Sequence, residues 1–185
     1  RGAMLLFHTG HQQIFCPDVH IGRANADFGQ GFYLTEDGEF AMRWARIRPG
    51  MDTFVNTYEL DLGGLEVHRF ERDADWFDYI FANRSGRPDA LADVDAIIGP
   101  IANDTIYNTY GLITSGLMPP EQALELLRMG PAYVQVAIKT ERAANRLTLM
   151  SARKLNSEEV LGYRDVVAAE EAAYQEALAA ALELM

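Results

Sequence analysis

Several features that often reveal a protein's chemistry are scarce or missing in this chain of 185 residues. It has a single cysteine, Cys16, which excludes an internal disulfide and a cysteine-rich zinc site. No apolar run approaches the roughly 20 residues that a membrane-spanning helix needs, so we expect no membrane partner. The P-loop, HExxH and GxSxG motifs are also absent, so nothing indicates the enzyme classes that depend on them.

Basic residues are outnumbered, with 16 Lys and Arg against 27 Asp and Glu and a formal net charge of −11. Proteins dedicated to nucleic acids usually carry a basic patch, because phosphate contacts supply most of their affinity. We therefore expect no dedicated nucleic-acid binder, although a local basic pocket for a dinucleotide is compatible with this charge. For Cys16 we expect a small, buried apolar side chain, and a nucleophile is the alternative.

The start of the chain carries no recognisable targeting segment. Residues 1–3 resemble a cloning remnant before Met4, and the apolar run over 5–7 is too short for a signal peptide. A cytoplasmic protein is the expectation, and an effector exported by other signals would look the same. His11, His20 and His68 show no metal-binding spacing with carboxylates or the cysteine, so we assign no metal site.

Helical and extended patterns are mixed along the chain, which predicts an α+β fold. Strands are predicted over 4–8, 32–35, 52–62, 65–70, 94–102, 132–140 and 147–150. Helices are predicted over 36–48, 73–84, 103–116 and 119–130, and from 157 onward. We expect one domain over 4–150 and a C-terminal helical extension over 157–185, with Thr35 as the N-cap of the first helix.

Two glycines precede an aromatic pair in the segment ADFGQGFYLTEDGEFAMRWA, residues 26–45. A strand interior disfavours glycine, so Gly29 and Gly31 either form a structural bulge or let the backbone approach something closely. The GQG triplet lacks the third glycine and the strand-before-helix placement of a dinucleotide fingerprint. Both interpretations of the two glycines stay open at this point.

Five sequence blocks occur here in an order that resembles the ADP-ribosyltransferase superfamily. They are LFHTG (6–10), CPDVHIGRANADFGQGFYLT (16–35), FANR (81–84), IIGPIANDTIY (97–107) and QVAIKTERA (135–143). The resemblance extends over residues 4–150 and is most evident to a bacterial group of small, uncharacterised members. It implies a split β-sheet whose cleft binds NAD as co-substrate, with flanking helices.

The resemblance also implies a catalytic trio of His8, Tyr33 and Gln135. His8 would hydrogen-bond a ribose hydroxyl of NAD, and Tyr33 would stack on the nicotinamide ring. Gln135 would hold the ribose 2′-hydroxyl, where many members of the superfamily have a glutamate. A glutamine cannot neutralise the positive charge that develops on the ribose when nicotinamide leaves, so we expect weaker transition-state stabilisation.

A wider set of NAD-binding residues follows from the same resemblance. These residues are His8, Thr9, Gly10, Arg23, Asn25, Gly31, Phe32, Tyr33 and Asn103. Thr9 would offer its backbone to the nicotinamide carboxamide, although a glycine is usual there and Gly10 is displaced by one position. Arg23 fits the pyrophosphate and fits a surface ion pair equally well. Asn103 fits the cleft or the N-cap of the helix predicted after it.

The activity that the resemblance implies is NAD-dependent mono-ADP-ribosyl transfer by a bacterial toxin or effector. The acceptor would be a macromolecule, a protein rather than a nucleic acid, and the C-terminal helix would dock a small antitoxin or immunity partner or the protein's own core. Two enzymatic alternatives stay open, NAD hydrolysis and transfer of an RNA 2′-phosphate to NAD. A third alternative is a catalytically silent NAD-binding or protein-interaction module on the same fold.

Overall fold

The described residues form a mixed α+β fold built on one seven-stranded sheet. In the computed structural model these residues are 3–102, 115–128 and 133–184. The strands are β1 (Met4–Gly10), β2 (Phe32–Thr35), β3 (Thr53–Leu60), β4 (Val67–Arg69), β5 (Ala96–Pro100), β6 (Val134–Ile138) and β7 (Leu147–Leu155). Their helices are α1 (Gly38–Arg43), α2 (Ala74–Arg84), α3 (Pro120–Leu127), α4 (Glu141–Ala144) and α5 (Ser157–Glu183). The predicted α+β class is confirmed.

The sheet is weakly joined between its two central strands. Its strand order is β4-β5-β6-β2-β1-β3-β7, and every neighbouring pair is antiparallel except β4 with β5. β1 pairs with β3 along its whole length, and β2 does the same with β6. Between β1 and β2 the ladder is reduced to one position, Phe7 opposite Thr35. The sheet therefore comes close to splitting into two halves at this point.

The alternation of side chains along the strands sends two apolar sets to opposite faces of the sheet. One face carries the largest cluster, which includes Leu6, Leu34, Tyr58, Val136 and Ile138. On the other face, α2 covers the β5–β6 half through Trp76, Ile80, Ile97 and Ala137. The β3–β7 half of that face is covered by α1 and α5 through Met42, Val55, Leu155 and Val160.

The first helix begins later than its sequence pattern predicts. The prediction of Thr35 as its N-cap is wrong, because Thr35 belongs to β2 and its hydroxyl donates to the Val134 carbonyl of β6 at 2.9 Å. Asp37 caps α1 instead, and its carboxylate accepts from the Phe40 amide at 3.1 Å. The N-cap of α1 therefore lies just beyond the last residue of β2 that pairs with its neighbouring strands.

Other element boundaries differ where tertiary pairing decides them. β7 reaches Leu155, beyond the predicted end at residue 150, because β3 pairs with it from Leu60 to Thr53. The short helix α4, which was not predicted, is capped by Thr140, whose hydroxyl accepts from the Ala143 amide at 3.1 Å. The helix predicted over 103–116 falls largely outside the described residues.

The prediction that Cys16 is buried is wrong, because its side chain is exposed. Cys16 lies in the long segment between β1 and β2, and its neighbour Phe15 is exposed as well. Val19 and Phe28 of this segment are fully buried in the core, and Ile14 packs against it. The segment is therefore anchored by these side chains, while Phe15 and Cys16 lie on the surface.

The C-terminal helix α5 packs along the domain. It begins with a capping box between Asn156 and Glu159. Arg43 of α1 forms a bidentate ion pair with Glu170 of α5, in which Nη2 lies 2.7 Å from Oε1. Tyr174 donates its hydroxyl to a backbone carbonyl of α3. Within the described part of the chain, no helix is both long and apolar enough to cross a membrane.

Candidate functional site

His8 lies where the two central strands part. It follows Phe7, the one residue of β1 that pairs with β2, and its Nδ1 lies 3.0 Å from the Tyr33 carbonyl oxygen. A carbonyl only accepts, so Nδ1 carries the proton and Nε2 of the neutral ring is an acceptor. Among the described residues, only Nδ1 of the ring makes a hydrogen bond, and Nε2 makes none. Nε2 lies beside Gly10, where a Cβ would come within 3.3 Å of it, so a glycine keeps this nitrogen accessible.

Burial keeps the His8 ring neutral. It lowers the pKa of His8 below the usual value, and this effect outweighs the opposing one of the bond to Tyr33. The ring also packs against Phe32, with 4.3 Å between the ring centroids. The site thus presents a fixed, neutral imidazole whose available atom is a hydrogen-bond acceptor.

Tyr33 uses its hydroxyl to close the turn that precedes its own strand. The hydroxyl accepts from the Phe28 amide at 2.9 Å and donates to the Gly29 carbonyl at 2.6 Å. Burial raises the pKa of Tyr33, the Phe28 bond opposes this, and the carboxylates of Asp27 and Asp89 add to the increase. The phenol is therefore neutral and engaged, and the partly exposed ring is what remains for a ligand.

Gln135 is buried beside a carboxylate that the sequence analysis did not single out. On β6 it pairs with Thr35 of β2, and its Nε2 donates to Asp27 Oδ2 over 3.4 Å. The other carboxylate oxygen of Asp27 accepts from Arg84 Nε at 2.6 Å. A negative charge therefore lies next to the amide, although the strand itself provides none.

The structure brings the three predicted catalytic positions onto three neighbouring strands, but their side chains do not all share one face. Tyr33 and Gln135 lie on the same face, because the register sets Thr35 opposite Gln135 and Ala137 opposite Tyr33. The His8 ring lies on the other face with Phe32. His8 reaches Tyr33 through the backbone carbonyl, across the gap between β1 and β2.

The two glycines before Phe32 allow the chain to pack on itself. Gly29 has φ +76°, and a Cβ there would come within 2.0 Å of Asp89 Oδ2. At Gly31 a Cβ would lie 2.7 Å from the Ile138 carbonyl oxygen. Both positions thus satisfy the structural interpretation of the glycines, since the atoms that approach belong to the chain itself.

A buried ion pair anchors the turn at Phe28 and Gly29. Lys139 Nζ donates to the Phe28 carbonyl and to Asp89 Oδ2, each at 2.5 Å, and the Lys139 side chain is 1% exposed. Tyr79 of α2 donates its hydroxyl to the other carboxylate oxygen of Asp89, also at 2.5 Å. The position of the turn, and with it the Tyr33 hydroxyl, is therefore fixed by α2 and by the residue that directly follows β6.

The other predicted NAD-binding residues are placed as follows. Thr9 donates its hydroxyl to the Ala41 carbonyl of α1 at 3.1 Å, which ties β1 to α1. Arg23 and Asn25 are exposed in the segment before β2, and the charge of Arg23 lowers the Tyr33 pKa. Asn103 lies outside the described residues.

Two open cavities adjoin the trio without being lined by it. The larger, of about 620 Å³, lies between Phe7, Thr35 and Tyr133 at the start of α1. The smaller, of about 400 Å³, lies where α1 faces β3, β7 and Tyr163 of α5. Thr35, which lines the larger cavity, pairs with Gln135 on the neighbouring strand.

Among the residues that the structure describes, no group of three or more His, Cys, Asp or Glu side chains is placed to hold a metal ion. The titratable groups of the site are instead engaged with backbone groups and with one another.

Comparison with known families places these elements in a defined group. Residues 4–149 match the family model described as a protein of unknown function, DUF3990. The curated proteins include no match to the chain. The matched range contains His8, Asp27, Tyr33 and Gln135, and it extends from β1 into β7. The chain therefore belongs to the DUF3990 family.

Proposed function

We propose that this protein binds NAD at the opening between β1 and β2 and acts as a mono-ADP-ribosyltransferase. The observation that carries the proposal is the neutral His8 ring, held by the Tyr33 carbonyl, with Nε2 left as an acceptor where the strands part. A ribose hydroxyl is a donor of the matching kind. The site thus suits a sugar that presents hydroxyl groups.

The proposed ligand contacts both faces of the sheet where β1 and β2 part. A ligand seated there meets His8 from one face and the ring of Tyr33 from the other, although the two side chains point in opposite directions. A flat pyridine ring stacked on Tyr33 would gain about 0.5–1.5 kcal/mol beyond its buried area. Arg23, exposed in the preceding segment, is the cation for the pyrophosphate in this arrangement.

The proposed reaction breaks the bond between ribose C1′ and the pyridine nitrogen, and the electron pair of that bond leaves with nicotinamide. A lone pair of the acceptor then forms the new bond to C1′, and the acceptor's proton passes to a base on the acceptor or to water. Gln135 holds the 2′-hydroxyl during this step. Since an amide carries no net charge, it stabilises the developing cation less than a glutamate would.

A protein acceptor fits the chain better than a nucleic acid, because the net charge of −11 disfavours phosphate-rich partners. A cytoplasmic toxin or effector role, with a small antitoxin or immunity partner, belongs to the same proposal. NAD hydrolysis, in which water takes the place of the acceptor, is an outcome that the experiment distinguishes.

The experiment incubates the purified protein with adenylate-labelled NAD and a bacterial lysate. A labelled macromolecule supports transfer, and free ADP-ribose alone would identify a hydrolase. No product, together with no calorimetric heat on mixing protein and NAD, would overturn the proposal.

Three variants test whether the named residues carry this activity. His8→Phe and Tyr33→Ala are expected to lower NAD consumption at least about tenfold, the effect of losing about 1.4 kcal/mol of transition-state stabilisation. Tyr174→Phe is the matched control, since its hydroxyl bonds the Leu126 carbonyl between α5 and α3. Unchanged activity in both site variants would place the site elsewhere.

A further inference from the structure

Asp27 is held beside Gln135 by contacts from α2. Its Oδ1 accepts from Arg84 Nε at 2.6 Å, and its backbone carbonyl accepts from Asn83 Nδ2 at 3.0 Å. The Asp27 side chain is only 14% exposed and that of Arg84 only 10%. The second carboxylate oxygen, Oδ2, lies 3.4 Å from Gln135 Nε2. The carboxylate is thus fixed in position, and its free edge faces the amide.

We propose that Asp27 is a positioning residue that makes Gln135 an effective acceptor for the ribose 2′-hydroxyl. This inference rests on the proposed function. An amide has a donor end and an acceptor end, and Asp27 binds the donor end. Gln135 Oε1 is therefore the end that remains for a hydroxyl.

The carboxylate also changes the electronic character of the amide. A hydrogen bond to an ionised acceptor is stronger than one between neutral groups, and hydrogen bonds in series polarise one another. Asp27 therefore increases the negative partial charge on Gln135 Oε1, and part of the electrostatic role of a glutamate is supplied by a residue that does not touch the substrate. Arg84 holds Asp27 in place for this role.

Three of the sequence blocks meet at this point. Asp27 comes from the block over 16–35, Asn83 and Arg84 come from the FANR block, and Gln135 begins the block over 135–143. These segments are far apart along the chain, and their contacts converge on one residue, Asp27. The proposal therefore gives FANR a specific task, which is to fix Asp27 beside β6.

The test introduces a second carboxylate with Gln135→Glu. Two carboxylates this close share a proton, so the pKa of the pair is raised in the folded protein above the unfolded value. The charged groups around the pair are Arg84, which binds Asp27, and Arg23 and Asp89, whose charges act on the adjacent Tyr33, with Lys139 paired to Asp89. Because the folded state then binds more protons, unfolding free energy should fall as pH rises from about 4 to 8.

Urea unfolding across this pH range measures the effect without NAD. Relative to the wild type, Gln135→Glu should lose at least about tenfold in its folding equilibrium constant between pH 4 and 8, the change that a one-unit pKa shift produces. Asp27→Asn/Gln135→Glu should not show this loss. Equal pH profiles for the two variants would overturn the inference. If the double variant does not fold, Gln135→Glu alone is compared with the wild type. A folding equilibrium constant that does not fall between pH 4 and 8 relative to the wild type would then also overturn the inference.

Activity supplies the second readout. Asp27→Asn should lower kcat for NAD consumption at least about tenfold with KM nearly unchanged, because Asp27 acts on the transition state through Gln135. Asp61→Asn is the matched control, since Asp61 belongs to an exposed pair with Arg146. A wild type that neither binds nor consumes NAD would defeat the proposed function, and with it this role. An active wild type with unchanged kcat in Asp27→Asn would defeat the role of Asp27 alone.

Discussion

The imidazole of His8 takes the place of a backbone hydrogen bond between the two central strands, with Nδ1 3.0 Å from the carbonyl oxygen of Tyr33. β1 and β2 pair through their backbones at Phe7 and Thr35, and one residue further along β1 the side chain makes the connection. This bond fixes the ring's tautomer as well as its position. The His8 ring therefore has a defined protonation pattern that solution measurements can read.

Titration of His8 is expected below the usual histidine pKa of about 6.5, because burial disfavours the charged ring. NMR of the imidazole signals, assigned by their loss in His8→Gln, should show a neutral ring at pH 7 with the proton on Nδ1. A pKa above 6.5, or a proton on Nε2, would contradict the geometry.

The same lowered pKa makes stability depend on pH in a definite direction. Since the unfolded chain takes up the proton more readily, unfolding free energy should decrease as pH falls below about 6.5, toward the folded-state pKa. His8→Gln should lose this part of the pH dependence. An identical profile in wild type and variant would show that the folded environment leaves His8 unperturbed.

Gly29 and Gly50 share φ +76° and differ in what surrounds them. Alanine at Gly50 meets nothing within 4 Å, so it should cost only the left-handed backbone strain of about 1–2 kcal/mol. Alanine at Gly29 would place Cβ 2.0 Å from Asp89 Oδ2, which should add about 1–3 kcal/mol for overpacking. Urea unfolding of the two variants gives the comparison. Equal destabilisation would mean that the Asp89 side chain moves aside freely.

Lys139 and Lys154 offer a buried and an exposed lysine with equivalent ion-pair partners. Lys139→Met leaves Asp89 without its cation, and removing one partner of a buried pair costs about 3–5 kcal/mol. Lys154 pairs with Asp52 at 2.9 Å with both side chains more than half exposed, so Lys154→Met should change stability by less than about 1 kcal/mol. Chemical denaturation of both variants measures the difference.

A compensating change checks the reason for the Lys139 effect. Lys139→Met/Asp89→Asn should regain part of the lost stability, because the variant no longer buries an unpaired charge. If the double variant were as unstable as Lys139→Met, the lost bond of Lys139 to the Phe28 carbonyl would be the main cause instead.

Local patterns in the sequence were sufficient for the strands and for the fold class. The alternation over 52–62 predicts β3, and the observed strand, Thr53–Leu60, falls within that range. The ends of elements followed tertiary pairing instead, as Thr35 and the length of β7 show. No local pattern distinguishes a threonine that caps a helix from one whose hydroxyl is used by a neighbouring strand.

Local patterns could not predict the contact of Asp27 with Gln135 either, because 108 positions separate the two residues. A signal was nevertheless present, since Asp27 and Arg84 belong to the blocks over 16–35 and 81–84 and had no role there. A polar pair inside such blocks suggests a buried contact, but the partner of each becomes known only when the strands and α2 are assembled. The glycines were similarly ambiguous until Asp89 and Ile138 were placed around them.

The single backbone pairing between β1 and β2 has a mechanical consequence. Within the β4-β5-β6-β2 group and the β1-β3-β7 group, neighbouring strands pair over several residues, with one register shift in β3–β7 between Thr57 and Tyr58, so each group resists bending more than its junction with the other does. Deformation of the sheet concentrates at Phe7 and Thr35, where few bonds oppose it. Relative rotation of the two groups of strands is therefore least opposed by backbone hydrogen bonds at this one short seam.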